Sequence, residues 1–142
     1  MSNAKKSGQR PSSYLSTVDF ARLNHACQIV WEAFGGETYL VGSTLETEVW
    51  HDVDVRTILA DDEFDALFKG RLYFWSLTCL GIGTYLRQMT GLPIDYQIQR
   101  MTEANAKHGG IRNPIGTGAR PFAGGGDATN LMNAPVDKKD DE

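Results

Sequence analysis

The stretch TYLVGSTLETEVWHDVDVRTIL, residues 38–59, holds two β-type runs around a Gly-Ser pair. Thr38-Tyr39-Leu40-Val41 is a short strand signal, and Gly42-Ser43 closes it. From Val49 to Leu59 the side chains alternate. Asp52, Asp54 and Arg56 fall on one face, and Val53, Val55 and Thr57 on the other. The pattern predicts a strand whose apolar face packs on helices. Carboxylates two residues apart on a strand project from the same side. They repel, at a cost in free energy unless protons or cations neutralise them. A hard divalent cation is the usual remedy, and Mg²⁺ then takes its other ligands from water and phosphate.

Working outward, Ser16-Thr17-Val18-Asp19 has the form of a capping box. Phe20, Leu23, Ala26, Cys27, Val30, Trp31 and Phe34 follow at helical spacing, and Gly35-Gly36 ends that helix. Asp61-Asp62-Glu63 opens a short helix through Phe68. Leu72 to Met89 reads as a long apolar helix, broken by Gly91-Leu92-Pro93. Ile94 to Arg100 alternates again, which sets Asp95 beside Gln97 and Gln99 on one face. Thr102 to His108 predicts a last short helix. The order α, β, β, α, α, β predicts an α+β domain. Its sheet would be small, mixed or antiparallel, of three or more strands, with helices packed on one face. If the strands pair, Asp52, Asp54 and Asp95 converge, and three carboxylates suit a two-metal phosphoryl-transfer site.

At 142 residues and 41% apolar content the chain has the size of one domain. Residues 1–13 carry +3 with almost no apolar content, which predicts disorder. From Ile111 onward, five glycines and three prolines in 32 residues predict a flexible tail, or an arm that orders on a partner. The expected folded unit is therefore residues 14–110. It holds 13 acids and 7 bases, a net −6, which disfavours direct binding to a nucleic-acid backbone. No apolar run reaches the roughly 18 residues of a membrane span. Cys27 and Cys79 sit inside apolar helical patterns, which speaks against a disulfide scaffold and for a reducing, cytoplasmic setting.

Leu40-Val41-Gly42-Ser43, then eight residues, then Asp52-Val53-Asp54-Val55 resembles the signature of the nucleotidyltransferase superfamily, the polymerase beta-like fold. Asp95, within Ile94-Asp95-Tyr96, is similar to the third acid that superfamily often places on a later strand. The resemblance spans Thr38 to Gln99, and the helix before the Gly-Ser strand also suits it. The chain is similar to the minimal, single-domain branch, which often works with a partner protein. The resemblance implies transfer of a nucleoside monophosphate from an NTP to a hydroxyl acceptor. It implies that Gly42 and Ser43 hold nucleotide phosphate. It implies that Asp52 and Asp54, with Asp95, bind Mg²⁺ or Mn²⁺, and that Asp95 helps deprotonate the acceptor. Some members are catalytically silent, so the same motif also fits a binding or regulatory module, antitoxin-like or an assembly partner.

Three further readings stay open. Ser43 serves either phosphate or a turn. Arg56 shares the Asp face, where it either contacts nucleotide or pairs with an aspartate. Arg112, in the glycine-rich segment after the third strand, either lies in a linker or folds back over the acidic face to contact nucleotide.

Overall fold

A computed structural model describes residues 13–117. The expectations of disorder before residue 13 and of flexibility beyond residue 117 lie outside the described residues. Helix α1 spans Thr17–Phe34. Ser16 is extended and its hydroxyl accepts from the Asp19 N–H at 3.0 Å, satisfying one of the donors that a helix start leaves free. Gly35 stops the helix at φ +73°, a conformation that favours a residue without Cβ. The chain then enters β1 (Thr38–Val41), followed by one 3-10 turn over Gly42–Leu45.

Strand β2 is Val53–Leu59, and helices α2 (Asp61–Phe68) and α3 (Leu72–Thr90) carry the chain to β3 (Ile94–Arg100). Helix α4 (Met101–Lys107) and a two-residue strand, β4 (Asn113–Pro114), complete the described elements. The result is α+β, as the sequence predicts. Four strands form one mixed sheet in the order β3-β2-β1-β4. β1 is antiparallel to both of its neighbours, and β2 and β3 run parallel, as the helical crossover between them requires.

The sheet's apolar face meets α1 and α3. Leu40, Val53, Val55, Tyr96 and Ile98 pack there with Leu23, Cys27, Val30 and Leu86. Hydroxyls buried in that layer satisfy one another: Thr38 and Thr57 are 3.0 Å apart, and Thr57 and Tyr96 2.6 Å. Tyr85 ties α3 to α1 by donating to the Ala26 carbonyl at 3.0 Å. The outer edge of β3 is covered by α3 side chains. Arg87 donates to the Ile94 carbonyl, Trp75 donates to the Ile98 carbonyl, and Cys79 accepts from the Ile98 N–H. Such cover blunts an edge that would otherwise pair with other chains. Among the described residues, no helix is long and apolar enough to cross a membrane.

Two boundaries differ from expectation. β2 starts at Val53 rather than Val49, because its pairing with the neighbouring strands starts at Val53 and Asp54. Val53 is the first residue paired with β3, and β1 ends at Val41 opposite Asp54. The folded unit also runs past residue 110. Ile115 is wholly buried in the core and donates to the Thr38 carbonyl, while Gly116 N–H donates to Asn24 Oδ1. β4 borders β1 as an outer strand, where Pro114 leaves no ladder donor unmet.

Candidate functional site

The face of the sheet turned away from α1 and α3 carries Asp54 and Arg56 of β2 and Asp95, Gln97 and Gln99 of β3. Asp54 and Asp95 are direct register partners across β2 and β3, so both stand on that face. Asp52 does not share the ladder. It lies one residue before β2 and is exposed, yet its charge still reaches Asp54. The expected triad is therefore a facing pair with a third carboxylate beyond the strand end. Among the described residues, no group of three His, Cys, Asp or Glu side chains is placed to hold a metal ion.

Gly42 is tied to this pair. Its φ is +83°, and a Cβ added to it would collide with the Asp54 carboxylate. The glycine thus admits a carboxylate that any side chain would displace. Ser43 follows, half-buried at the start of the 3-10 turn, and its carbonyl accepts from the N–H groups of Glu46 and Thr47. Gly42, Ser43, Asp54 and Asp95 are brought together by the two pairings of β2.

Arg56 occupies the middle of the site. It is 7% exposed, and its Nη2 lies 3.9 Å from Asp54 Oδ1 and 3.5 Å from Asp95 Oδ2. Its Nη1 donates to the Asp95 carbonyl at 2.6 Å and to the Val55 carbonyl at 3.0 Å. Its Nε is buried with no hydrogen-bond partner. Of the two readings open at the sequence level, the structure puts Arg56 against the aspartates. Burial pushes the Asp54 carboxyl above the ordinary carboxylate range, Arg56 opposes that, and the charges of Asp95 and Asp52 add to it.

Arg112 donates to the His108 carbonyl at 2.8 Å and to Asn105 Oδ1 at 2.7 Å, which fixes it to the end of α4. Its charge reaches His108 and Tyr39, the latter being the register partner of Arg56. The segment does fold back on the sheet, with Arg112 serving the loop itself. His108 is the residue whose place the sequence reading missed. Its imidazole is held below the ordinary histidine range, by burial first and then by the charges of Arg56, Arg112 and Lys107. The signal was the Gly109-Gly110 pair behind it, which lets the chain turn back.

Beside the pair, a cleft of about 440 Å³ opens between α3 and the edge of β3. Asp52, Asp95, Gln97, Arg87, Ser76 and Trp75 line it. It joins two of the three carboxylates to a polar and aromatic wall of ligand size. No protein-family model, no curated protein and no solved structure matches this chain.

Proposed function

We propose that residues 38–100 form a nucleotidyltransferase-like site that moves a nucleoside monophosphate from an NTP to a hydroxyl acceptor and releases pyrophosphate. The observation that carries this reading is the facing pair Asp54 and Asp95, set against a glycine whose missing side chain makes room for Asp54. Mg²⁺ or Mn²⁺ fits these donors. Mg²⁺ commonly uses one or two carboxylates and completes its shell with water and phosphate, so a facing pair suffices. Asp54 and Asp95 would hold it, with Asp52 near the shell. When bound, the metal would neutralise charge on the transferring phosphoryl group.

The chain's own residues account for the remaining chemistry. Asp95 is 46% exposed and borders the cleft, where it takes the acceptor's proton as the acceptor oxygen bonds to the α-phosphorus. The bond from that phosphorus to the bridging oxygen of pyrophosphate breaks. Gly42 and Ser43 receive nucleotide phosphate, and Arg87 supplies positive charge on the cleft wall. Catalysis of this kind rests on positioning and charge neutralisation. Cys27 and Cys79, both free and buried, suit a reducing compartment, so we assign the protein to the cytoplasm.

A thermal-shift titration with Mg²⁺ or Mn²⁺ and each NTP tests this, on wild type and on Asp52→Asn/Asp54→Asn. A ligand at 100 times its dissociation constant stabilises by about 2.7 kcal/mol, several degrees for a domain of this size. The shift should need metal and vanish in the double variant. No shift with any nucleotide defeats the reading.

Arg56 favours a second reading. A guanidinium already lies against both carboxylates, which is the arrangement of a site that needs no metal. The chain would then be a catalytically silent binding module for a protein partner. That reading predicts partner binding that survives both Asp→Asn substitutions and metal-free buffer. Partner binding that is lost on chelation rules it out.

A further inference from the structure

We propose that the outward face of α3 is the contact between two copies of this chain. From Leu72 to Leu86 the helix carries no charged residue. Its inner side is buried through Cys79, Gly83, Leu86 and Thr90. On the outer side Tyr73, Leu77 and Leu80 remain 61–85% exposed. Tyr73, Leu77, Leu80 and Thr84 follow one another at intervals of four, three and four residues, the spacing of a helix-pairing seam. Exposed apolar patches of this extent mark interaction sites on soluble proteins.

Three features favour a second copy as the occupant. The first is self-complementarity. Beside the ridge formed by Tyr73 and Leu77 lies an apolar hollow of about 280 Å³, lined by Ile29, Ala33, Phe34, Gly81, Ile82 and Tyr85. Ridge and hollow on one surface match a two-fold contact, in which each copy's ridge meets the other's hollow. Gly81, with nothing within 4 Å of where its Cβ would stand, leaves room for close approach at the centre. The second is area. With Phe74, the exposed seam amounts to roughly 500 Å² per copy, so two copies together reach the roughly 1,000 Å² that a biological interface needs. The third is charge. The chain carries −4, and this uncharged face lets two like-charged copies meet without opposing carboxylates. Ser76 lies on the exposed side of α3 and Leu80 in the seam, and both also line the cleft that holds Asp52 and Asp95, so a second copy would wall that cleft.

Sedimentation equilibrium of the full chain tests this over about 1–100 µM, where an interface of this size with micromolar or tighter affinity is populated. The expected mass is twice the 15.7 kDa of one chain. Tyr73→Glu/Leu77→Glu should raise the dissociation constant by about 100-fold or more, the loss of two central anchors. Its far-UV circular dichroism should stay unchanged, because both side chains project from the single chain into solvent. Gly81→Glu is an independent second variant that adds helix propensity at an open position and should also give the single-chain mass. Val18→Glu, at an exposed apolar position on α1, should leave the dimer intact. A single-chain mass for wild type at every concentration overturns the proposal and leaves the face to another occupant. A dimer that survives both Gly81→Glu and the double glutamate variant overturns it equally.

Discussion

Gly42→Ala separates two reasons for a glycine beside the acidic pair. Gly42 sits at φ +83°, where a residue with a Cβ is strained by about 1–2 kcal/mol. The new methyl would also meet the Asp54 carboxylate, with Asp54 Cγ at 3.1 Å and Asp54 Cβ at 3.3 Å. Asp54 would have to swing away from a position shared with Arg56 and Asp95, and overpacking of that kind costs about 1–3 kcal/mol. Together the substitution should destabilise by about 2–5 kcal/mol, or about 4 °C in Tm per kcal/mol for a domain near 100 residues. Urea unfolding at pH 7 gives the number. The decisive measurement repeats it in an Asp54→Ala background. There the carboxylate is gone and only the backbone strain remains, so Gly42→Ala should cost about 1–2 kcal/mol, and the double-mutant cycle should show a coupling of at least about 1 kcal/mol. Equal costs in the two backgrounds would refute the close approach of Gly42 to Asp54, and with it the central contact of the proposed site.

Asp54→Asn should raise stability at neutral pH while lowering transfer activity by more than about 100-fold, since a direct ligand matters more than the outer-shell partners that cost 10–100-fold. The folded-state pKa of Asp54 is raised, so the folded protein binds more protons than the unfolded chain between the ordinary carboxylate pKa and the raised one. Stability therefore falls as pH rises through that window, and the penalty is complete above it. Urea midpoints at pH 4 and pH 7 should show this loss in wild type and less of it in the variant. Arg56→Met should destabilise by about 1–3 kcal/mol, because it leaves the half-buried Asp54 carboxylate without its counter-charge while the more exposed Asp95 is compensated by solvent. Added Mg²⁺ should recover part of that loss in a melting assay, and no recovery would argue against a cation site between Asp54 and Asp95. His108 has the opposite sign. Its folded pKa is lowered, so stability is lost as pH falls below about 6.5 toward the folded value. His108→Gln should flatten the stability profile between pH 7 and pH 5, and an unchanged profile would place the acid sensitivity elsewhere.

Local signals in the chain were enough for most elements. The Ser16 cap and the Gly35-Gly36 stop bound α1 within a residue of where it lies, because caps and left-handed glycines act over one helical turn. The alternation of Ile94–Arg100 marks β3 in full, since side-chain period depends only on the backbone's own pleat. The candidate acids, the Gly-Ser turn and the fold class were legible for the same reason. What no local pattern holds is register. That Asp54 faces Asp95 depends on the pairing of two strands 41 positions apart. The same pairing leaves Asp52 off the ladder and sets Arg56 between the carboxylates. β4 is two residues long, too short for any periodicity, and exists because β1 has a free edge and Ile115 a place in the core. The outward face of α3 was equally hidden. A helix apolar on every side reads as buried, and only the packing of α1 and the sheet against one side shows that the other is left open. Sequence alone determined the elements and their chemistry, because those follow from interactions within a few residues. Tertiary structure decided which charges meet and which surface stays bare, because both depend on contacts between residues far apart in the chain.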